Sequence, residues 1–180
     1  MRVSNRERIL GAIVDIVQRD GVNSVTFDAI ASETGLTRGG LLYHFPSREE
    51  LLLATHESLA NRWEKGMIES AGKDASSSTP EERAVAYAQT CAKVARRVEL
   101  LLMLECTGNP ALNDIWMSVT DRWAPPVPAA DDPAAFTQFL GRLAADGLWL
   151  FEALSPDPIP VDIKRQLVET LVTMAKANQD

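Results

Sequence analysis

The sequence predicts an all-α fold of about nine helices, a three-helix unit at the N-terminus followed by a larger helical domain. Three observations carry that prediction. N-cap signatures recur along the chain: Ser4 with Glu7, Ser47 with Glu50 and Thr79-Pro80 with Glu82 read as capping boxes, and Thr26, Asn109-Pro110 and Asp132-Pro133 as simpler caps. Apolar residues repeat at three- and four-residue spacing after most of these caps. Strand signals are nearly absent, because Asp20-Gly21 and Asp146-Gly147 fall within or just after helical patterns rather than between alternating apolar runs.

The first helix is expected over residues 4–19, where Ile9, Ile13, Ile16 and Val17 form one apolar stripe and Gly21 supplies a left-handed cap. A second follows over 27–34 and a third over 38–44, opened by Thr26 and Thr37. Between them Gly35 can take the positive φ of a tight turn, and Ala31 is small enough to let two helices cross closely. Ile30, Leu36, Leu41 and Phe45 are placed to face the shared core. A long fourth helix over 47–71 carries Leu52, Thr55, Leu59, Trp63 and Met67 at helical spacing, suited to link the first unit to the rest. Five more are expected over 80–97, 98–105, 110–123, 133–153 and 161–177. Clusters of Ser, Pro and Asp at 75–79, 125–132 and 155–160 mark linkers, and no internal repeat is found.

Composition narrows the function classes. At 180 residues, 46% apolar and 24% charged, the chain matches an ordinary globular protein of one or two domains. The aliphatic and sulfur run at 100–104 is far too short to span a bilayer, so no membrane partner is expected. The apolar stretch at 9–14 is broken by Asp15 and lacks a cleavage site, which leads to an expected cytoplasmic location. Cys91 and Cys106 are too far apart for a CxxC motif, and with only His44 and His56 no zinc quartet assembles. The thiols are therefore expected to be reduced and buried, and neither metal nor cofactor is expected. A net charge of −7 opposes non-specific coating of nucleic acid but allows a small local reading face.

Such a face is legible at residues 26–48. Helix, Gly-containing turn and helix follow each other at helix-turn-helix spacing. Gly39 and Gly40 each cost the third helix about 1 kcal/mol relative to Ala, so another role must justify them. Glycine lets a backbone approach a surface closely, and Arg38 beside them can fork onto guanine O6 and N7 in the major groove. Tyr43, His44 and Arg48 offer phosphate partners, with Thr26 at a helix N-terminus on the other side. The alternative is a structural αα corner in which the aromatics only pack. Residues 1–57 hold six Arg, no Lys and eight acids, so orientation must concentrate the positive charge.

The run Leu36-Thr-Arg-Gly-Gly-Leu-Leu-Tyr-His-Phe-Pro-Ser-Arg-Glu-Glu-Leu51, after Val25-Thr-Phe-Asp-Ala-Ile-Ala, resembles the N-terminal domain of the TetR family of transcriptional repressors. The resemblance covers roughly residues 5–55. Leu42 stands where the family pattern has Tyr, with Tyr43 one place later, and Arg48 stands where it has Lys and keeps the charge. Ala145-Asp-Gly-Leu-Trp-Leu is similar to multidrug-responsive members. The resemblance implies a homodimer that binds a double-stranded, palindromic DNA operator and responds to a ligand, with a DNA-binding domain at 1–46 and a ligand-binding and dimerisation domain at 47–180.

In the second domain Trp63, Met67, Tyr87, Cys91, Met103, Trp116 and Trp149 read either as core or as the lining of an adaptable apolar pocket. Glu105 or Asp146 within it would attract a cation, so a small hydrophobic or amphiphilic cationic ligand is expected. The helix over 133–153 is apolar nearly all round near its end, and the last helix repeats Ile163, Leu167, Leu171 and Met174. With Leu140, Gly147 and Phe151 these residues are expected to form a four-helix seam between two subunits. An enzyme is not expected, since no nucleophile-and-base pair, metal cluster or phosphate loop is present. The remaining rival is a helical small-molecule-binding or interaction adaptor without DNA binding.

Overall fold

The computed structural model describes residues 4–93 and 96–176. Among them are nine α-helices and no strand: α1 (Asn5–Asp20), α2 (Phe27–Thr34), α3 (Arg38–His44), α4 (Arg48–Ala71), α5 (Pro80–Lys93), α6 (Arg97–Glu105), α7 (Pro110–Trp123), α8 (Pro133–Leu154) and α9 (Val161–Ala175). Short 3-10 turns occupy Val22–Ser24, Ala75–Ser77 and Cys106–Gly108. The caps sit where the sequence puts them. Ser4 and Glu7 form a reciprocal box at the start of α1, and Thr79 and Glu82 form another at α5. Thr26, Thr37, Asn109 and Asp132 each accept a backbone N–H of the first turn they precede.

Two local details differ from the sequence expectation. Gly21 has φ 85° and ψ 169°, a positive-φ but extended residue rather than a left-handed cap, although its N–H still donates to the Val17 carbonyl at 3.0 Å. Gly35, by contrast, takes the positive φ expected of it and caps α2 in the left-handed conformation, with φ 68° and ψ 12°. The helix expected over 80–97 does not reach its end, since residue 96 is not helical and α6 begins at Arg97, one residue before the expected 98; residues 94–95 and the expected end of the last helix at 177 lie outside the described residues.

The chain divides into two compact units. The first contains Met1–Ala60 and Arg97–Ile115, so it runs past the boundary expected after residue 46 and takes back a segment remote in sequence. Specific contacts explain that recruitment: Gln18 accepts the Val98 N–H at 2.9 Å, and His56 Nδ1 lies 3.7 Å from Cys106 Sγ. Helix α1 buries Ile9, Ile13, Ile16 and Val17 and packs on α2 and α6, while α2 packs on α3. Ile30, Leu41, Phe45, Val98 and Leu102 are buried as well. Arg8 donates to the Thr34 carbonyl at 2.7 Å, which fastens α1 to the end of α2.

The second unit contains Asn61–Arg96 and Trp116–Asp180. Here α5 packs on α8 and α9, and α8 packs on α9. Small residues set the close crossings. A Cβ on Gly66 would meet Thr90, and one on Gly141 would meet Met174, at 3.1 Å in each case. Both cysteines are free and buried.

Candidate functional site

In the first unit α3 is anchored from one side and open on the other. Leu41 is fully buried and Thr37 caps the helix, so register and start are set from below. Arg38, Gly39 and Tyr43 face solvent, Tyr43 with 84% of its surface exposed. His44 is half-buried and lies edge-on to Tyr43, with ring centroids 5.3 Å apart. A Cβ built on Gly39 meets nothing within 4 Å, whereas one on Gly40 would lie 3.3 Å from the Thr37 hydroxyl. Packing inside the protein therefore restricts position 40 and leaves position 39 free.

The two arginines have different surroundings. Arg38 donates to Asp28 on α2 at 3.0 Å, and its guanidinium lies 5.7 Å from the Phe27 ring centroid. Arg48 turns inward: its Nε donates to the Val25 carbonyl and an Nη to the Val22 carbonyl, each at 3.2 Å. Two of its five donors are thus spent clamping the turn before α2, a structural duty the sequence does not reveal. With Asn23, Thr26 and Leu51 these residues line an open cavity of about 490 Å³. Thr26 sits exposed at its rim, its hydroxyl accepting the Ala29 N–H.

In the second unit an aromatic cluster reaches a carboxylate through Tyr87. The Trp63 ring lies 5.5 Å from Tyr87 and 6.4 Å from Trp116, and Tyr87 donates its hydroxyl to Asp146 at 2.5 Å. Met67 is fully buried, Cys91 is buried beneath Tyr87, and Trp149 is half-buried. Burial pushes the Asp146 carboxyl above its ordinary range, against the Tyr87 hydrogen bond and Arg142, which favour the ionised form. The Tyr87 hydroxyl and Cys91 thiol are also pushed up by burial, with the nearby Asp146 adding to it. Both stay protonated at neutral pH. Met103 and Glu105 belong to the other unit, on α6, where Glu105 is exposed to solvent.

Arg142 went unnoticed in the sequence. Its Nε is 3.8 Å from Asp146, it donates to the Pro125 carbonyl at 2.8 Å, and its guanidinium lies 5.9 Å from the Phe139 ring. The i, i+4 spacing of Arg142 and Asp146 was the available signal. Glu64 was also missed. It accepts two hydrogen bonds from Arg122 and one from the Trp123 indole, and the Arg122 bond holds its carboxyl below the usual range despite partial burial.

The outer face of α8 and α9 is apolar and unpartnered among the described residues. Phe136, Leu140, Leu143, Leu150, Phe151 and Leu154 are exposed on α8, with Ile163 and Leu167 on α9. On α8 the spacing from Phe136 through Leu140, Leu143, Gly147 and Leu150 to Leu154 alternates four and three, the seam of a helix–helix interface. Two of the expected seam residues point elsewhere. Leu171 is only 5% exposed, and Met174 packs its Cβ against Gly141, so both serve the core between α8 and α9. The i, i+4 repeat of α9 runs over two faces.

Two family profiles match the chain: "Bacterial regulatory proteins, tetR family" over residues 9–55 and "Tetracyclin repressor-like, C-terminal domain" over residues 81–176. The HTH-type transcriptional regulator SrpR of Pseudomonas putida is 39% identical over 49 residues, 27% of this chain; the match spans only 23% of SrpR. Among solved structures, a transcriptional regulator from Saccharomonospora viridis in complex with choline superposes with a TM-score of 0.69 at 22% identity, covering 93% of this chain and 95% of that one. The multidrug binding protein EbrR complexed with malachite green gives 0.64 at 19% identity, covering 96% and 98%. At these identities the likeness is one of fold. No helix among the described residues is long and apolar enough to cross a membrane.

Proposed function

The chain belongs to the TetR family of bacterial regulators, and on that footing we propose that it is a ligand-responsive transcriptional repressor. It binds a palindromic operator as a homodimer, works in the cytoplasm where the chromosome lies, and catalyses no reaction. The observation that carries the reading is the exposed surface of α3, where Arg38, Gly39 and Tyr43 face solvent on a helix whose far side is locked into the core. Arg38 reads a guanine edge, while Thr26, Thr37, Tyr43 and His44 approach phosphates and Gly40 keeps the first turn close. Arg48 acts from beneath, by holding the α2 start in place.

The seam of Leu140, Gly147, Phe151, Ile163 and Leu167 pairs with its copy about a two-fold axis, which sets half-sites roughly 34–36 Å apart. The ligand enters the cluster of Trp63, Tyr87, Trp116 and Asp146. An amphiphilic cation suits it best, since aromatic faces hold cations and Asp146 carries the counter-charge. Malachite green and choline, held by two proteins of this fold, are both cations. To bind, such a cation must displace Arg142 from Asp146.

A mobility-shift assay on the gene's upstream region tests the reading. Arg38→Ala should cost about 1–3 kcal/mol and relax base preference at one position per half-site. His44→Ala should weaken all sequences alike. A folded protein that binds no duplex selectively would favour the adaptor instead.

A further inference from the structure

Asp28 is the second residue of α2 and Arg38 the first of α3, and the turn between the helices brings Asp28 Oδ1 to 3.0 Å from an Arg38 Nη. Both side chains remain in water, Arg38 62% and Asp28 82% exposed. A pair so exposed is screened and contributes little to folding. Its position is nevertheless unusual. A carboxylate on a face that meets phosphates is repelled by them, and an arginine in the first turn of a helix sits at the positive end of the dipole. The dipole of α2 favours Asp28 in its first turn, but nothing in folding asks for Arg38 in the first turn of α3.

The chemistry of the pair fits one target. An arginine fork donates to guanine O6 and N7, and an aspartate accepts from the amino group of cytosine N4, the two edges of a single G·C pair in the major groove. Arg38 is bound to Asp28 through Oδ1 alone; among the described contacts Oδ2 accepts no hydrogen bond. The Phe27 ring, 5.7 Å from the guanidinium, backs the fork on another side. We propose that Asp28 is a specificity-determining residue, which with Arg38 forms one reading unit for a G·C pair in each half-site. Its bound oxygen orients the arginine fork, and its other oxygen accepts from the cytosine amino group.

This inference rests on the reading of the protein as a DNA-binding regulator, and the experiment separates the two. The full-length wild type, Asp28→Ala, Asp28→Asn, Arg38→Ala and the Asp28→Ala/Arg38→Ala double variant select from a randomised duplex pool, with circular dichroism melts to verify folding. The wild type should select G·C at one position per half-site. Asp28→Ala should reduce that preference roughly 5- to 100-fold at that position only, while binding to random duplex stays equal or tightens because a negative charge has left the face. Asp28→Asn, which keeps an acceptor oxygen, should restore part of the preference. The double variant should lose less than the two single losses combined, since part of the Asp28 effect runs through Arg38 and the two residues are coupled. A purely structural role for Asp28 would weaken every sequence equally, and simple competition with phosphate for Arg38 would tighten every sequence equally; either result overturns the proposal. If the wild type selects an operator and Asp28→Ala selects the same one, this inference alone fails. If the folded wild type selects no sequence, the DNA-binding reading fails and takes this one with it.

Discussion

Replacing Gly39 by alanine should move stability and DNA affinity in opposite directions. The residue lies in the first turn of α3 with an ordinary negative φ, and an added Cβ meets no atom within 4 Å. Glycine inside a helix is less favourable than alanine by roughly 0.5–1 kcal/mol, so Gly39→Ala should raise stability by about 0.5 kcal/mol and the melting temperature by about 1–2 °C. If the bare backbone at this position is there to let the DNA surface come close, the new methyl must be accommodated in that contact. Overpacking of a tight contact costs about 1–3 kcal/mol, which corresponds to operator binding weakened roughly 5- to 100-fold. Gly11→Ala is the control. Gly11 is an exposed interior residue of α1 with nothing within 4 Å of its Cβ position, so that change should stabilise by a similar amount and leave operator affinity alone. Thermal melts and fluorescence anisotropy on a labelled operator measure both quantities. A Gly39→Ala protein that is more stable and binds the operator as tightly as wild type would refute the close-approach argument.

Leu167→Glu puts a charge on the exposed seam of α9 and should yield folded monomers by analytical ultracentrifugation, whereas Leu171→Glu buries the charge within the protomer and should cost several kcal/mol and unfold it; a stable Leu167→Glu dimer would remove the seam. His56 is fully buried, and burial lowers its imidazole to about 4, below the unfolded value of 6.5. The unfolded chain therefore binds the proton first, so stability is complete above pH 6.5 and falls as pH drops towards 4, by roughly 2–3 kcal/mol. Urea unfolding across that window should show a shallower loss for His56→Gln than for wild type, and identical slopes would contradict the assignment. In a titration followed by tryptophan fluorescence, a cationic dye should quench Trp63 and Trp116 and release the operator, and Asp146→Asn should weaken the dye about tenfold or more without affecting a neutral analogue; equal losses for both would make Asp146 a purely structural residue.

The helices and their ends were legible because the forces that set them act within one turn. Ser4 and Glu7, Thr79 and Glu82, and the Thr37 cap each close over three residues, a spacing visible in the bare sequence. The helix-turn-helix was legible for the same reason, since Gly35 and the apolar positions of α1, α2 and α3 form one contiguous local unit. Tertiary structure alone decided which polar groups meet. Asp28 finds Arg38 ten residues on, and Tyr87 finds Asp146 across 59, partnerships that no periodicity encodes. It also decided the direction of side chains whose pattern was ambiguous. Leu167 and Leu171 are one turn apart on α9, yet one faces outward and the other packs inward, because α5 and α8 press on the same helix and a repeat of four in a helix of 3.6 residues per turn drifts from one face to the next. Arg48, by sequence a phosphate partner, spends two of its five donors on the Val22 and Val25 carbonyls: the polar backbone of a turn needs donors, and the fold brings this one within reach.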